Sequence, residues 1–375
     1  MSEYKVLGRE DPNSIESILA DDAIDFGTAV HATHVGGDAI FTWDYERTRE
    51  GLGKLYERAK TSQWNGSTDL DWSIDVDVEK VAIEMQAAIA QLQDRLLSLP
   101  NSPLKSWGEE QWTKLAIEAF NWRMSQFLHG EQGALICTAK IVETVPWIDA
   151  KYYASTQVMD EARHVEVFAR YLDTKLEGHY PVNPALQLLI DDIIADSRWD
   201  MTYMGMQIMI EGLALAAFGF MHAFTQEPLL KQLLRYVMSD EARHVAFGVL
   251  SLQEYYQGLD GKEIRERQEF AFEAALRMRD RLMMHAVWEQ CGIDRKAITR
   301  MLFEVKKPGV NPFQAALFSK IVPNCKKLGL LDAGDGWLRD RFTEIGVIEY
   351  EDAPDTEVEY ALLDAVAQDR EAASA

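Results

Sequence analysis

A short stretch with metal-ligand chemistry occurs twice in this 375-residue sequence. Asp-Glu-Ala-Arg-His stands at residues 160–164 and again at residues 240–244. A Glu and a His three residues apart on a helix point to the same side, about one turn apart. Each copy also has a lone Glu thirty residues before its own Glu, so the candidate ligands are Glu131, Glu161, His164, Glu211, Glu241 and His244. Four carboxylates and two imidazoles in this duplicate spacing predict a dinuclear iron or manganese site inside a four-helix bundle.

Two predicted helix hairpins bring these residues to one level. In the first hairpin Pro146 marks the bend, with Glu131 fifteen residues before it and Glu161 fifteen residues after it. Both carboxylates therefore lie roughly 22 Å from the bend, at 1.5 Å per residue. The second bend, at residues 225–228, stands in the same relation to the two Glu residues of the second copy. A charged, solvated helix surface would explain one copy of the motif, but it would not explain this agreement between the two copies.

The hydrophobic pattern predicts an all-α protein, a four-helix bundle with additional flanking helices. The ligand helices are expected at about 108–143, 147–177, within 185–224 and at 228–257, with Asp196–Ser197 dividing a crossover helix from the third ligand helix. Further helices are expected at about 262–291 and 312–329. We predict three parts: an N-terminal arm over 1–43, a single ferritin-like helical domain over 44–350 with ligand helices at about 108–257 and extra C-terminal helices at 262–350, and an acidic tail over 351–375.

Charged residues beside the ligands predict the surroundings of the site. Asp160 and Asp240 precede the two Glu–His pairs and are placed to accept the free N–H of the ligand histidines, which fixes the tautomer. Arg163 and Arg243 are placed to pair with those aspartates. Charge on the outer surface of a helix is the alternative. We favour pairing, because an unpaired charge inside a bundle is costly.

Apolar residues share the helix faces of the ligands. The five that we expect to line a pocket over the metals are Phe127, Leu135, Phe168, Leu215 and Val237. Such a pocket suits a hydrophobic substrate. A closely packed bundle core would show the same pattern, so the pattern leaves both interpretations open.

Composition limits the partners and the compartment. A net charge of −23 argues against nucleic acid and anionic membranes, because phosphate binding needs clustered Lys and Arg. The first residues lack the apolar core of a signal peptide, and no uninterrupted apolar run approaches about twenty residues. The three cysteines, Cys137, Cys291 and Cys325, have no metal-motif spacing. We therefore expect a cytoplasmic protein with no membrane span.

The motifs resemble those of known families. Glu131 in Gly-Glu-Gln-Gly-Ala-Leu and the two Asp-Glu-Ala-Arg-His copies resemble the ferritin-like hydroxylase subunits of bacterial multicomponent monooxygenases. The segment 54–72, with Trp64, is similar to the entry segment of ribonucleotide reductase small subunits and of their ligand-binding oxidase relatives. The resemblance covers roughly residues 50–255. It implies a ferritin-like non-haem diiron carboxylate protein that activates dioxygen.

Three positions depart from the patterns of these families. Reductase small subunits commonly carry a radical tyrosine four residues after the first ligand His, where this chain has Phe168; some members with Phe there use a manganese–iron centre. The monooxygenases place a threonine four residues after the third ligand Glu, where this chain has Leu215. The arylamine N-oxygenases carry a third histidine one turn before the last ligand Glu, where Val237 stands. The reaction is therefore left open.

The expected function is a diiron oxidase or oxygenase that uses dioxygen to hydroxylate, N-oxygenate or desaturate a small or medium apolar organic substrate. The expected cofactor is two iron ions, with manganese–iron as the variant. Electrons are expected from a separate reductase or ferredoxin, because the chain has no flavin or iron–sulfur motif, and we expect a homodimer. The alternatives are a reductase-type subunit whose oxidised metals serve a partner, a ferroxidase or iron-handling protein, and a scaffold that keeps the fold without turnover.

Overall fold

The computed structural model describes residues 9, 11–24, 30–87, 90–176, 178–305 and 312–353. These residues form α-helices joined by short connections, and no strand occurs among them. The all-α prediction is therefore confirmed. The predicted tail lies outside the described residues from position 354 onward.

The helices before the bundle are short, and the first two bundle helices are long. Their bounds are α1 Ile15–Asp22, α2 Glu50–Thr61, α3 Val78–Ala87, α4 Ala90–Ser98, α5 Glu109–Thr144 and α6 Ile148–Lys175. The remaining helices are α7 Pro184–Ala195, α8 Trp199–Tyr203, α9 Glu211–Phe224, α10 Pro228–Tyr256, α11 Gly261–Arg281, α12 His285–Gln290, α13 Arg295–Glu304, α14 Pro312–Lys327 and α15 Trp337–Glu344. A π-helical segment, Met204–Ile210, joins α8 to α9.

Two antiparallel hairpins form the bundle, as predicted. In the first hairpin α5 packs against α6, and in the second the π segment and α9 pack against α10. The second bend is fixed locally: Glu227 caps α10 by accepting hydrogen bonds from the backbone N–H groups of Leu229 and Leu230, and Pro228 occupies the first turn. The crossover helix α7 joins the hairpins and begins at Asn183, whose side chain accepts from Ala185 and Leu186. A four-helix bundle with one long crossover has ferritin-like topology.

Several flanking helices close the sides of the bundle. The helix α2 packs on α6 and α10, α14 packs on α9, and α11 packs on α7 and on the π segment. The expected helix over 262–291 is in fact two helices, because Met284 takes a left-handed conformation with φ of 50° between α11 and α12. Periodicity alone could not locate this break, since apolar residues continue through it.

The third ligand helix is the most apolar part of the chain. Trp199–Phe224 is 26 residues long and meets the length and hydropathy of a membrane span, but 83% of its most apolar window is buried inside the protein. Its apolar character is therefore that of a core helix. The π turns lie immediately before Glu211, and such turns are frequent at functional sites.

Candidate metal centre

The six predicted ligands meet in the core of the bundle. Each has at most 4% of its surface exposed. Glu131 comes from α5, the pair Glu161 and His164 from α6, Glu211 from the first residue of α9, and the last pair from α10. The two hairpin bends thus bring to one level residues that are up to 113 positions apart, as the spacing predicted.

The cluster has two centres, each with one histidine. His164 Nδ1 lies 3.2 Å from Glu131 Oε2, 3.5 Å from Glu161 Oε2 and 3.2 Å from Glu241 Oε1. His244 Nδ1 lies 3.1 Å from Glu161 Oε1, 3.4 Å from Glu241 Oε2 and 4.0 Å from Glu211 Oε2. The same two glutamates therefore face both histidines through different oxygens, which is the arrangement of bridging carboxylates.

The buried polar atoms of this cluster fit metal ions. Glu161 Oε2, Glu211 Oε2, Glu241 Oε2 and His244 Nδ1 are buried without a hydrogen-bond partner. Ligand atoms of Glu131, Glu161, His164 and Glu241 lie within 4.8 Å of one another, and so do those of Glu161, Glu211 and His244. Hard carboxylate oxygens with one imidazole per centre suit iron and manganese. The cluster is therefore able to hold a dinuclear metal cofactor.

The pKa values show how the cluster is protonated in the absence of a cation. Burial, reinforced by the neighbouring Glu241, raises the pKa of Glu131 to about 8. Burial and the adjacent Glu161 raise the pKa of Glu211 well above its usual range. Burial opposes the charging of His164, but hydrogen bonds to Asp240 and Glu131 raise its pKa well above its ordinary value. Protons therefore neutralise part of the cluster, and metal binding must displace them.

Each aspartate accepts a hydrogen bond from a ligand histidine, but the histidine belongs to the other copy of the motif. His164 Nε2 lies 3.1 Å from Asp240 Oδ2, and His244 Nε2 lies 3.4 Å from Asp160 Oδ2. Each Nε2–H is thus donated across the interface between α6 and α10, which leaves each Nδ1 facing the glutamates. The aspartates were predicted to accept these protons, but the sequence could not show that the pairing crosses between helices.

The arginines bind the aspartates, as expected. Arg163 Nη2 lies 2.6 Å from Asp160 Oδ1 and 2.9 Å from Asp240 Oδ2. Arg243 Nη2 pairs with Asp240 Oδ1 and lies 3.7 Å from Asp160 Oδ2. All four side chains are at most 6% exposed. This group of two aspartates and two arginines is electrically balanced, so burial leaves no uncompensated charge in it.

The loop after α2 adds two residues to which we had given no role. Trp64 Nε1 donates to Asp240 Oδ2 over 2.8 Å, and its ring lies parallel to that of His164 at 6.5 Å. Gln63 Nε2 donates to Asp160 Oδ1 over 3.1 Å, and Gln63 Oε1 accepts from Arg163 Nη1 over 2.8 Å. Sequence spacing could not find them, because they come from a loop that precedes the bundle.

Gln157 is a further residue that we missed. Its Nε2 donates to Glu161 Oε1 over 3.0 Å and to Glu211 Oε1 over 2.8 Å. It stands one turn before Glu161 on α6, so helical spacing was a usable signal for it. Gln157 therefore links Glu211 of the second hairpin to Glu161 of the first.

The cavity beside the cluster differs from the predicted pocket. It has a volume of about 160 Å³ and is mainly apolar, and Glu131, Glu211 and Glu241 form one end of it. Of the five predicted pocket residues only Phe127 lines it. The other four, Leu135, Phe168, Leu215 and Val237, do not line it, and the last three are buried in the core. The bundle core and the cavity share the same apolar signal, which is why the sequence could not separate them.

The bundle and its carboxylate–histidine cluster have the ligand arrangement of ferritin-like dinuclear metal carboxylate proteins, in which two helices each give a Glu and two each give a Glu-x-x-His pair. No family model matches the sequence, and no curated protein matches it. Among solved structures, R2-like ligand-binding oxidase with aerobically reconstituted metal cofactor after photoconversion is 17% identical, with 76% of this chain and 94% of that chain covered and a TM-score of 0.49. A mutant of R2-like ligand-binding oxidase with anaerobically reconstituted Mn/Fe cofactor is 19% identical, with 73% and 95% covered and a TM-score of 0.46.

Proposed function

We propose that this chain is an oxygen-dependent oxidase or oxygenase that holds two iron ions, or one manganese and one iron, and oxidises a small or medium apolar organic molecule. The observation that carries the proposal is the position of the cluster. It is buried among apolar side chains, and three of its four glutamates form the end wall of the apolar cavity. A metal pair there would face a molecule bound in the cavity.

Each ligand has a distinct part in this proposal. Glu131 and His164 would hold one ion, Glu211 and His244 would hold the other, and Glu161 and Glu241, which face both histidines, would serve both ions. When bound in the reduced state, the pair supplies electrons to dioxygen and oxidising power toward the substrate.

The residues around the ligands hold them in position. Asp240 and Asp160 keep a proton on the Nε2 atom of each histidine, so that each Nδ1 remains free for metal. Gln157 fixes the orientation of Glu211 through the bond to its Oε1.

The electrons and the assembly complete the proposal. The sequence has no flavin or iron–sulfur motif, so in this proposal a separate reductase or ferredoxin supplies the electrons. We expect the chain to act as a homodimer in the cytoplasm, without nucleic acid as a partner because of its net charge of −23.

A single sample tests the central part of the proposal. Protein expressed with iron should carry close to two metal equivalents per chain, measured by elemental analysis, and its ferrous form should consume dioxygen rapidly. The matched control is the double variant Glu131→Ala with Glu211→Ala, which loses both terminal carboxylates and keeps both histidines. A native protein that is folded by circular dichroism but has almost no metal would refute the assignment.

One observation favours a second candidate, a reductase-type subunit whose oxidised metals serve a partner. Tyr153 is fully buried on α6, and its hydroxyl group has no hydrogen-bond partner. Its ring lies 4.5 Å from that of Phe247, three residues after His244. Tyr153 is thus a redox-capable phenol close to the cluster, although the usual tyrosine position holds Phe168. A persistent tyrosyl radical in near-stoichiometric yield would favour this candidate.

A further inference from the structure

The metal ligands lie too deep in the bundle to exchange protons with solvent directly. Each of the six has at most 4% of its surface exposed. Insertion of one oxygen atom follows the balance RH + O₂ + 2 e⁻ + 2 H⁺ → ROH + H₂O, so it consumes two protons along with two electrons. The separate donor proposed above supplies the electrons, whereas the protons come from solvent. The cluster therefore needs a polar route through the core.

Three unpartnered hydroxyl groups lie on the side of the cluster that faces away from the cavity. Tyr153, Tyr203 and Ser251 are at most 1% exposed, and their hydroxyl groups have no hydrogen-bond partner within the described part of the chain. None of the three lines the cavity. The cavity is lined on α9 by Glu211 and later residues, whereas Tyr203 stands eight residues before Glu211. We call these three residues the hydroxyl layer.

Contacts with α10 bring the hydroxyl layer together. The ring of Tyr153, from α6, lies 4.5 Å from the ring of Phe247. The ring of Tyr203, from α8, lies 5.0 Å from the same phenylalanine ring. The Tyr203 hydroxyl group faces Ser251, one turn after Phe247, without the geometry of a hydrogen bond. Residues of three helices thus meet around one turn of α10.

Two glutamine amides stand between the hydroxyl layer and the metal ligands. Gln207 precedes Glu211 by four residues, and it packs so closely on α10 that a Cβ at Gly248 would lie 2.5 Å from the Gln207 Cβ. Both polar atoms of this amide are buried and, among the described residues, unpartnered. Gln157 precedes Glu161 by four residues and binds the ligands through Nε2, which leaves its Oε1 buried without a partner. The amides thus extend the row of unpartnered polar atoms to the ligands.

Other buried side chains of the same types have protein partners. Ser125 Oγ donates to the backbone oxygen four residues earlier over 2.8 Å. Gln126 uses both ends of its amide: Nε2 donates to the Pro181 oxygen over 2.8 Å, and Oε1 accepts from the Asn183 N–H over 2.7 Å. Buried polar groups nearly always bind either protein or ordered water. The unpartnered atoms between the hydroxyl layer and the ligands therefore indicate bound water.

We propose that the hydroxyl layer and the two glutamine amides hold a chain of ordered water that carries protons to the metal cluster while dioxygen is reduced. This deepens the proposed function, on which it rests, by assigning the side from which protons arrive. Tyr153 stands eight residues before Glu161, about 12 Å along α6, a distance that about four water molecules span. Hydroxyl groups both donate and accept hydrogen bonds, so they orient the water without a net change in their own protonation.

Charged residues lie at the outer end of this route. Asp200, on α8, pairs with Arg267 over 2.9 Å. Arg267 Nη1 lies 3.6 Å from Glu266 Oε2, and the Glu266 side chain is 37% exposed. Burial and the charge of Asp200 raise the pKa of the neighbouring Tyr256 well above its ordinary value, so this hydroxyl group keeps its proton. Protons thus enter at this end of the bundle, and the organic molecule occupies the other side of the metals.

Removal of hydroxyl groups tests whether the layer is hydrated. The double variant Tyr203→Phe with Ser251→Ala keeps the ring and the backbone but removes the two hydroxyl groups that face each other. In a dry layer this metal-free variant would resist heat better than the native protein, because two unpartnered polar groups leave the core. In a hydrated layer it should be equally or less resistant, because the lost hydroxyl groups had water as their partner. If the double variant does not fold, Ser251→Ala alone provides the same comparison.

A high-resolution crystal structure of the metal-free protein locates the water. Ordered water should lie within hydrogen-bond distance of all three hydroxyl groups in the native protein, and fewer water molecules should remain in the variant. A native layer without water density, or a variant that melts at a higher temperature, would overturn the proposal.

Solvent isotope effects test the transport of protons. The ferrous double variant should consume dioxygen at least about 10-fold more slowly than the native protein. The ratio of its rates in light and heavy water should exceed the native ratio, because proton delivery becomes limiting. A purely structural role would leave this ratio unchanged. An unchanged rate, or a slower rate with the native ratio, would therefore contradict the proposal.

Tyr171→Phe is the matched control. Tyr171 is also fully buried on α6, but it follows Glu161 by ten residues and therefore lies on the other side of the metals. Its hydroxyl group lies 3.5 Å from Glu227 Oε2. This variant should keep both the native rate and the native isotope ratio.

The crystal structure and the rates together separate this inference from the proposed function. A hydrated layer in a protein that consumes no dioxygen when loaded with ferrous iron would refute the oxidase function, and with it the use of the route, but not the bound water. Rapid consumption of dioxygen by a protein whose layer is dry would refute the route alone.

Discussion

Replacing Asp240 by Asn tests the crossed contact between the two halves of the bundle. Asp240 accepts hydrogen bonds from Trp64 over 2.8 Å, from Arg163 over 2.9 Å, and from His164 Nε2 over 3.1 Å, and it also pairs with Arg243. Asparagine keeps the shape and one acceptor oxygen but removes the charge. Both guanidiniums then share Asp160 as their remaining carboxylate, and His164 donates to a neutral amide oxygen in place of a carboxylate, so its tautomer and orientation are held less firmly.

The expected losses follow from these contacts. Removing one partner of a buried ion pair costs about 3–5 kcal/mol of folding free energy, and Asp240→Asn should reach this range because both arginines are 6% exposed. Replacing the carboxylate behind a ligand histidine lowers metal affinity by about 10- to 100-fold. That loss should fall on the ion held by Glu131 and His164, although Asp240 is adjacent in sequence to the other centre.

Two measurements decide this prediction. Urea unfolding of the metal-free protein gives the change in stability, and anomalous diffraction at the metal edges gives the occupancy of each position. Asp160→Asn is the matched control, and it should empty the position of His244 instead. If Asp240→Asn emptied the position of His244, or both positions equally, the crossed arrangement would be refuted.

Three further predictions follow from the site and its supports. Replacing His164 and His244 together by Ala should abolish most metal binding and destabilise the metal-free fold in urea unfolding, because each imidazole is the buried partner of glutamates and of an aspartate; unchanged metal content by elemental analysis would show that the ligands are misassigned. Oxygen exposure of the ferrous protein should give no long-lived tyrosyl radical by rapid-freeze electron paramagnetic resonance, and any weak transient signal should vanish in Tyr153→Phe but survive replacement of an exposed tyrosine. Gly248→Ala should destabilise the protein by about 1–3 kcal/mol in urea unfolding, because the added methyl lies 2.5 Å from a side-chain carbon of the π segment, whereas Gly261→Ala, with open space, should be nearly neutral.

The cluster could be predicted from the sequence because its residues recur at helical spacings. Glu161 and His164 are three residues apart on one helix, and the bend at Pro146 sets the height of Glu131 against Glu161. Both relations follow from helix geometry alone. The same reasoning predicted the bundle helices to within about two residues, which is the usual uncertainty of helix ends.

What could not be predicted depends on how helices face one another. The crossed bonds from His164 to Asp240 and from His244 to Asp160 depend on the rotation of α6 against α10, which no spacing records. Trp64 comes from a loop, and its position depends on how α2 packs on the bundle. The cavity was misplaced because an apolar side chain gives the same signal whether it fills the core or lines a space.

Because of the π-helical turns before Glu211, metal binding depends on the number of residues in the segment that precedes it. Each helical residue turns the chain by about 100°. Deleting one residue from Met204–Ile210 would let the segment relax to an ordinary α-helix, and α8 and α9 would then rotate against each other by about that angle. The shortened helix would keep its apolar composition and pack, but Glu211 would no longer face Gln157 and Glu161. In an alignment of homologous sequences, a single-residue gap at this place would therefore distinguish chains that have lost the metal site, even where every ligand is still present.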